Sequence, residues 1–268
     1  MKNDDKNFLV GKKVMITGAA SGIGKSCVVA FLEAGADVLA VDSNPQTLEE
    51  LAKEFKVSTK VADLSTPEKY FPDNLEIDIL INNAGVQHVA PIEEFPLAQA
   101  DLMFSLMLRT PFYLTQKVLP HMYAKKWGRI IGISSIHGHI ASPYKSIYTT
   151  VKHGLEGLTK VTALEGGPHG VTANTIAPSY ARTALVEKQI KSQAEINNLS
   201  ETQVVDEIML APSAIKRLIE PEEIAQLALY LCGPYSNSIS GSSFGIDNGW
   251  TARRKDPLGC QMQIAALH

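Results

Sequence analysis

At 268 residues with 45% hydrophobic side chains, the chain can bury a sizeable core, and alternating α and β units commonly run this long as one domain. A net charge of −3 argues against a general nucleic-acid or membrane surface, and no apolar run approaches the ~18–20 residues of a membrane span. The polar start, Met1 to Lys6, has no secretory pattern, and Cys27, Cys232 and Cys260 lack metal-ligand spacing and leave an odd thiol, so a reduced, cytoplasmic setting without a metal is expected.

Lys12–Thr17 reads as a short apolar strand, followed at once by Gly18-Ala-Ala-Ser21-Gly22-Ile23-Gly24. Lys25–Ala34 then shows helical spacing through Val28, Phe31 and Leu32. Gly18 and Gly22 permit a tight turn and a close backbone approach to a pyrophosphate. Gly24 lets strand and helix pack closely, and the positive end of the helix faces the anion. A glycine-rich string alone is weak, and the strand–turn–helix context gives it meaning. A second strand, Asp37–Val41, ends at Asp42, about twenty residues beyond the turn, where an acid that binds ribose hydroxyls is expected.

Val57–Ala62, ending at Asp63, reads as a third strand, and Ile77–Ile81 as a fourth that runs into Asn82-Asn83-Ala84-Gly85. Between them, Pro67 and Pro72 limit residues 64–76 to about a turn or two of helix. Gln99–Lys125 is a long helix, and Arg129–Ile133 a fifth strand that delivers Ser134 and Ser135. Ser146–Leu164 is helical, Val171–Ile176 is a sixth strand, and residues 181–210 read as a mobile helical lid. Pro221–Leu231 is a helix with proline in its first turn, and Ser243–Ile246 a short last strand. The fold class is therefore α/β: a single doubly wound, Rossmann-type parallel sheet over residues 1–251, with helices on both faces and ligands outside the carboxyl ends of its strands. Thr17, Asp42, Asp63, Asn82 and Ser135 all fall at such ends. Residues 252–268, with Arg253-Arg254-Lys255, form an extension expected to be flexible.

Tyr148-Thr-Thr-Val-Lys152, thirteen residues after Ser135, can act as a proton-transfer device. On a helix, Tyr148 and Lys152 share one face. A free phenol, with a pKa near ~10, is a poor acid or base at neutral pH. An ammonium one turn away favours the phenolate and pulls that pKa towards the working range. Ser135 can hydrogen-bond the oxygen that gains or loses the proton.

With these pieces in order, the sequence resembles the short-chain dehydrogenase/reductase family over nearly its whole length. The resemblance implies a nicotinamide cofactor and reversible hydride transfer between an alcohol and a ketone, with Tyr148 as acid/base, Ser135 holding the substrate oxygen, and Lys152 tuning Tyr148 while binding the nicotinamide ribose. Cofactor positions on this pattern are Thr17, Gly18, Ser21, Gly22, Ile23 and Gly24, then Asp42, Asp63 and Leu64. Asn83, Ala84, Gly85 and Pro178 complete them, together with Tyr148 and Lys152. Asp42 accepts from both ribose hydroxyls and repels a 2′-phosphate, and Ser43-Asn44-Pro45 supply no arginine, so NAD is expected rather than NADP.

Within the family, the sequence resembles the bacterial D-3-hydroxybutyrate dehydrogenases around residues 83–96, 135–148, 185–190 and 249–251. That likeness implies that Gln87, His137, Lys145 and Gln189 hold the carboxylate of a small hydroxy or keto acid, with Tyr180 and Trp250 walling its methyl end. A cation with amide donors at one end of a small pocket is also what a short carboxylate requires. The family further implies a homotetramer built from the two long helices and the last strand. Met107 stands where the family commonly has a proton-relaying Asn, and Ser179 where Gly is more usual. A sugar or polyol dehydrogenase, a 3-oxoacyl reductase and a non-catalytic NAD-binding protein stay open as alternatives.

Overall fold

The computed structural model describes residues 7–252, and strand and helix alternate along them. In chain order the elements are β1 (Lys13–Thr17), α1 (Gly22–Glu33), β2 (Asp37–Asp42), α2 (Pro45–Glu54), β3 (Ser58–Val61) and β4 (Ile79–Asn82). After them come α3 (Leu97–Phe104), a π turn (Ser105–Arg109), α4 (Thr110–Lys125), β5 (Gly128–Ile133) and α5 (Ser146–Gly166). The chain then forms β6 (Val171–Pro178), α6 (Ala184–Asn197), α7 (Glu201–Gln203), a second π turn (Val204–Met209), α8 (Pro221–Leu231) and β7 (Ser243–Ile246).

The strands form one sheet in the order β3-β2-β1-β4-β5-β6-β7, and every pairing is parallel. Successive side chains on a strand point to opposite faces, and the two cores follow that period. Val14, Ile16, Ile79, Ile81, Ile131 and Ile133 pack with Val28 and Phe31 of α1, Leu48 and Leu51 of α2, and Ile224 and Leu231 of α8. Met15, Leu80 and Ile130 point the other way, onto Leu114, Val118 and Met122 of α4. The doubly wound parallel sheet expected from the sequence is thus observed. Its order reverses between β1 and β4, and the carboxyl ends of those strands open a crevice there.

Most elements fall where expected, and α8 and β7 match residue for residue. The sequence reading omitted α2. Its signal was present: Asn44 caps it by accepting from the Gln46 and Thr47 amides, and Pro45 occupies the first turn. The long helix is broken by the π turn at Ser105–Arg109, and residues 64–76 hold only a 3₁₀ turn at Pro67–Lys69. Among the described residues, no helix is long and apolar enough to cross a membrane, no group of three metal-ligating side chains occurs, and Cys27 and Cys232 are buried free thiols. Cys260 and the extension beyond Ala252 lie outside the described residues.

Candidate active site

The glycine turn is built by its neighbours. Thr17 Oγ1 accepts from the amides of Asn83 (3.0 Å) and Ala84 (3.1 Å) and donates to the Ile81 carbonyl (3.3 Å). Asn83 Nδ2 returns bonds to the carbonyls of Thr17 (2.9 Å) and Gly18 (3.0 Å). Thr17, expected to touch cofactor, is instead a buried staple between β1 and β4, and it does not reach the cleft. Gly24 is likewise outside the cleft: a Cβ there would lie 2.0 Å from the Gly18 carbonyl oxygen, so glycine is required for α1 to pack on the turn. Gly18 (φ +63°) and Gly22 (φ +50°) supply the left-handed backbone.

Ser21 caps α1 without a side-chain bond, and the first turn of α1 contains no acid, which leaves its amides free for an anion. At the end of β2, Asp42 accepts from the amides of Ala20 (3.1 Å) and Asn44 (3.1 Å). Gly18, Ser21, Gly22, Ile23 and Asp42 all line one cleft of about 520 Å³, together with Asp63, Leu64, Asn83, Ala84, Gly85 and Pro178. Ser65 bonds hold the Asp63 carboxyl below its ordinary pKa. Free helix amides, a glycine cradle and a carboxylate at the second strand end fit a dinucleotide.

The same cleft contains Ser135, Tyr148 and Lys152. Ser135 leaves β5, and its Oγ accepts from the His137 amide at 3.2 Å. Tyr148 and Lys152 lie on α5, with Lys152 Nζ 5.6 Å from the centre of the phenol ring. Nζ donates to the Ile133 carbonyl at 2.7 Å. One expectation fails here. Burial raises the Tyr148 pKa, and the Ser135 hydrogen bond offsets only part of that rise. Lys152 is itself desolvated, which lowers its own pKa to about 8.

At the other end of the cleft, the structure brings Gln87, His137, Lys145, Tyr180 and Gln189 together. Lys145 is buried, with Tyr180 Oη as its hydrogen-bond partner at 3.4 Å, and burial lowers its pKa to about 8. No carboxylate pairs with it among the described residues. Gln189 Nε2 donates to Gln87 Oε1 at 2.8 Å, while Gln87 Nε2 is buried without a partner. His137 is held neutral: burial, then the nearby Lys145 charge, lower its pKa to about 4. Its Nδ1 lies 3.4 Å from Ser135 Oγ and its Nε2 2.9 Å from Ser142 Oγ.

Trp250 does not line the cleft; it packs against Tyr180, with ring centres 5.8 Å apart. Met107 does line it, from the π turn, and a Cβ on Gly85 would come within 3.0 Å of its sulfur. Two polar residues of the surroundings escaped the sequence reading. Ser142, in a loop, carried no signal. Glu156, an acid four residues after Lys152 on a helix face, was a visible signal that was not used.

Residues 12–194 match the family model described as short chain dehydrogenase. The D-beta-hydroxybutyrate dehydrogenase of Rhizobium meliloti is 41% identical over 257 residues, covering 90% of this chain and 99% of the relative. The enzyme of the same name from Cupriavidus necator is 35% identical over 258 residues, covering 92% and 100%. A solved structure from Agrobacterium tumefaciens, described as a candidate 2-deoxy-d-gluconate 3-dehydrogenase with bound NADP, superposes with a TM-score of 0.81 at 29% identity, covering 93% of this chain and all of that one. With its parallel sheet, glycine turn and Ser135–Tyr148–Lys152 cleft, the chain belongs to the short-chain dehydrogenase family, nicotinamide-dependent oxidoreductases of small-molecule substrates.

Proposed function

We propose that this enzyme interconverts (R)-3-hydroxybutyrate and acetoacetate with NAD. The observation that carries the reading is the buried Lys145 ammonium, which has no carboxylate partner among the described residues and lies in the cleft that contains Ser135 and Tyr148. A buried cation needs a counter-charge, and a short substrate carboxylate supplies one. The free Gln87 amide donor serves the same group, and the Gln189 bond fixes its orientation. His137 is neutral, so it acts by hydrogen bonding and by orienting Ser135, and Lys145 is the cation of the clamp.

A nicotinamide held in this cleft would supply the hydride chemistry at C3. Ser135 Oγ hydrogen-bonds the C3 oxygen, and Tyr148 accepts the hydroxyl proton in oxidation and returns it in reduction. Lys152 and the Ser135 bond are the features that favour the charged phenolate against its burial. Gly18, Ser21, Gly22 and Ile23 would hold the pyrophosphate, Asp63 and Leu64 would flank the adenine, and Asn83, Ala84, Gly85 and Pro178 would lie along the dinucleotide. Asp42 favours NAD: a 2′-phosphate would meet its carboxylate with no arginine at residues 43–45 to neutralise the repulsion. The segment from α6 through the second π turn, with its own small core of Val186, Ile190, Val204 and Met209, is the lid that brings Gln189 over the substrate and excludes water. Tyr180, braced by Trp250, walls the site. The enzyme works in the cytoplasm as a homotetramer.

The test is NAD reduction followed by absorbance with (R)- and (S)-3-hydroxybutyrate, a neutral secondary alcohol and a sugar acid, each repeated with NADP. The (R)-acid with NAD should give the highest kcat/KM. A sugar acid as the best substrate, or NADP as the better acceptor, would displace this reading.

A further inference from the structure

A carboxylate that takes no part in the scheme above lies behind it. Glu156 is four residues after Lys152 on α5, hence on the same helix face, and only 5% of it is exposed. Its Oε2 accepts from Thr175 Oγ1 of β6 at 2.7 Å, and its Oε1 accepts from Ser243 Oγ of β7 at 3.1 Å. His139 Nε2, in the segment between β5 and α5, lies 3.5 Å from Oε1 and 2.8 Å from Ser243 Oγ. Gly138 makes the space: a Cβ there would sit 3.1 Å from Oε1 and 2.7 Å from Ser134 Oγ. A buried carboxylate is costly unless donors surround it, and an apolar side chain would fill the same place without that cost. Three partners drawn from three elements therefore call for a reason.

Lys152 supplies one. It too is only 5% exposed, and the hydrogen-bond acceptor of Nζ is a neutral carbonyl. Desolvation drives its pKa down to about 8, and the Glu156 charge opposes that fall. The other groups around the pair give no such support. Tyr148 of α5 and Tyr180 after β6 are phenols with raised pKa values, and His137 after β5 is neutral. Lys145, at the start of α5, is a like charge, and His139 faces Glu156 rather than Lys152. Thr175 of β6 and Ser243 of β7 are uncharged hydroxyls.

We propose that Glu156 is a positioning residue: it keeps the buried Lys152 ammonium charged and clamps α5 to β6, β7 and the segment that follows Ser135. The proposal rests on Lys152 serving the site as described under the proposed function. It accounts for the acid, its donors and the glycine opposite them, and it gives the lysine electrostatic support from one turn further along α5.

The experiment is a lysine-selective nitrogen NMR titration of the full chain without cofactor, the Lys152 amine being assigned by its loss in Lys152→Arg. In Glu156→Gln the Lys152 midpoint should fall by roughly one pH unit or more, and in Glu156→Asp, which keeps the charge, it should stay nearer the wild-type value. A folded Glu156→Gln with an unchanged midpoint overturns the proposal, since a purely structural role moves Tm and not the titration. If Glu156→Gln does not fold, Glu156→Met, neutral and of similar volume, takes its place. In the wild-type protein a midpoint below pH 7 overturns the proposal without any variant. Because the titration uses neither cofactor nor substrate, failure to oxidise 3-hydroxybutyrate would leave this result standing, and an unchanged midpoint would leave the substrate reading standing.

Discussion

Two residues carry the proposed chemistry in different ways, and each is separately testable. Tyr148 is the proposed proton carrier, and general acid–base groups contribute roughly 10²–10⁴-fold, so Tyr148→Phe should lose activity in that range while binding NAD with near wild-type affinity. Steady-state rates and a cofactor fluorescence titration measure the two halves, and wild-type turnover in the variant would remove Tyr148 from the mechanism. The role proposed for Lys145 is to hold charge, not protons in flight. Losing a charge-assisted hydrogen bond costs about 1.5–3 kcal/mol, so Lys145→Ala should lower kcat/KM for 3-hydroxybutyrate about ten- to a hundredfold and spare a neutral alcohol. Its pH dependence follows from a pKa of about 8: substrate affinity of the wild-type enzyme should weaken as pH rises through that value. Stability has the opposite sense. Lys145 and Lys152 titrate near 8 folded, against 10.5 ordinarily, so the unfolded chain binds more protons between those values, and both groups make stability rise with pH across that window. Urea midpoints that fall from pH 8 to 10 in wild type but not in Lys145→Met would contradict this.

At the scale of elements, the turn from β1 into α1 shows how backbone fit sets cofactor affinity. Gly24 takes no part in lining the cleft, yet a methyl group there meets the Gly18 carbonyl at 2.0 Å. Overpacking of this kind costs about 1–3 kcal/mol or more, and relief requires α1 to move away from the turn. Gly24→Ala should therefore lower Tm and weaken NAD binding together, as read by a thermal melt and a fluorescence titration. Unchanged NAD affinity would show that the turn can absorb the methyl group. The same region explains what sequence assigned only by analogy. Thr17 was expected to contact cofactor, but the parallel sheet leaves the ends of β1 and β4 adjacent, and Thr17 spends its hydroxyl joining those ends, while the Asn83 side-chain amide ties back to the Thr17 and Gly18 carbonyls and Asn83 still lines the cleft.

For the whole molecule, assembly is the open quantity. Phe104, Leu108, Phe112 and Leu158 border one shallow groove across α3, α4 and α5, and Phe112 is 55% exposed. Val161 and Leu164 extend the apolar surface along α5. Exposed apolar side chains on two neighbouring long helices suit a subunit interface. Sedimentation equilibrium at micromolar concentration should give a tetramer, with Phe112→Glu shifting it to smaller species. A wild-type monomer would rule the assembly out.

The sequence by itself determined the alternation of strand and helix, the glycine turn, the acid at the end of β2 and the Ser135–Tyr148–Lys152 spacing. Each of these is written in local periodicity or in a fixed number of intervening residues, so no partner needs to be known. The tertiary structure decided the rest. Gln189 meets Gln87 across 102 positions, a distance no local pattern spans. It also showed Thr17 to be a staple, Trp250 a brace for Tyr180, and Glu156 a buried acid behind Lys152. The proton affinities of Tyr148, Lys152, Lys145 and His137 belong to the same class. Each is shifted first by loss of water, and how much water a side chain loses depends on every element packed around it.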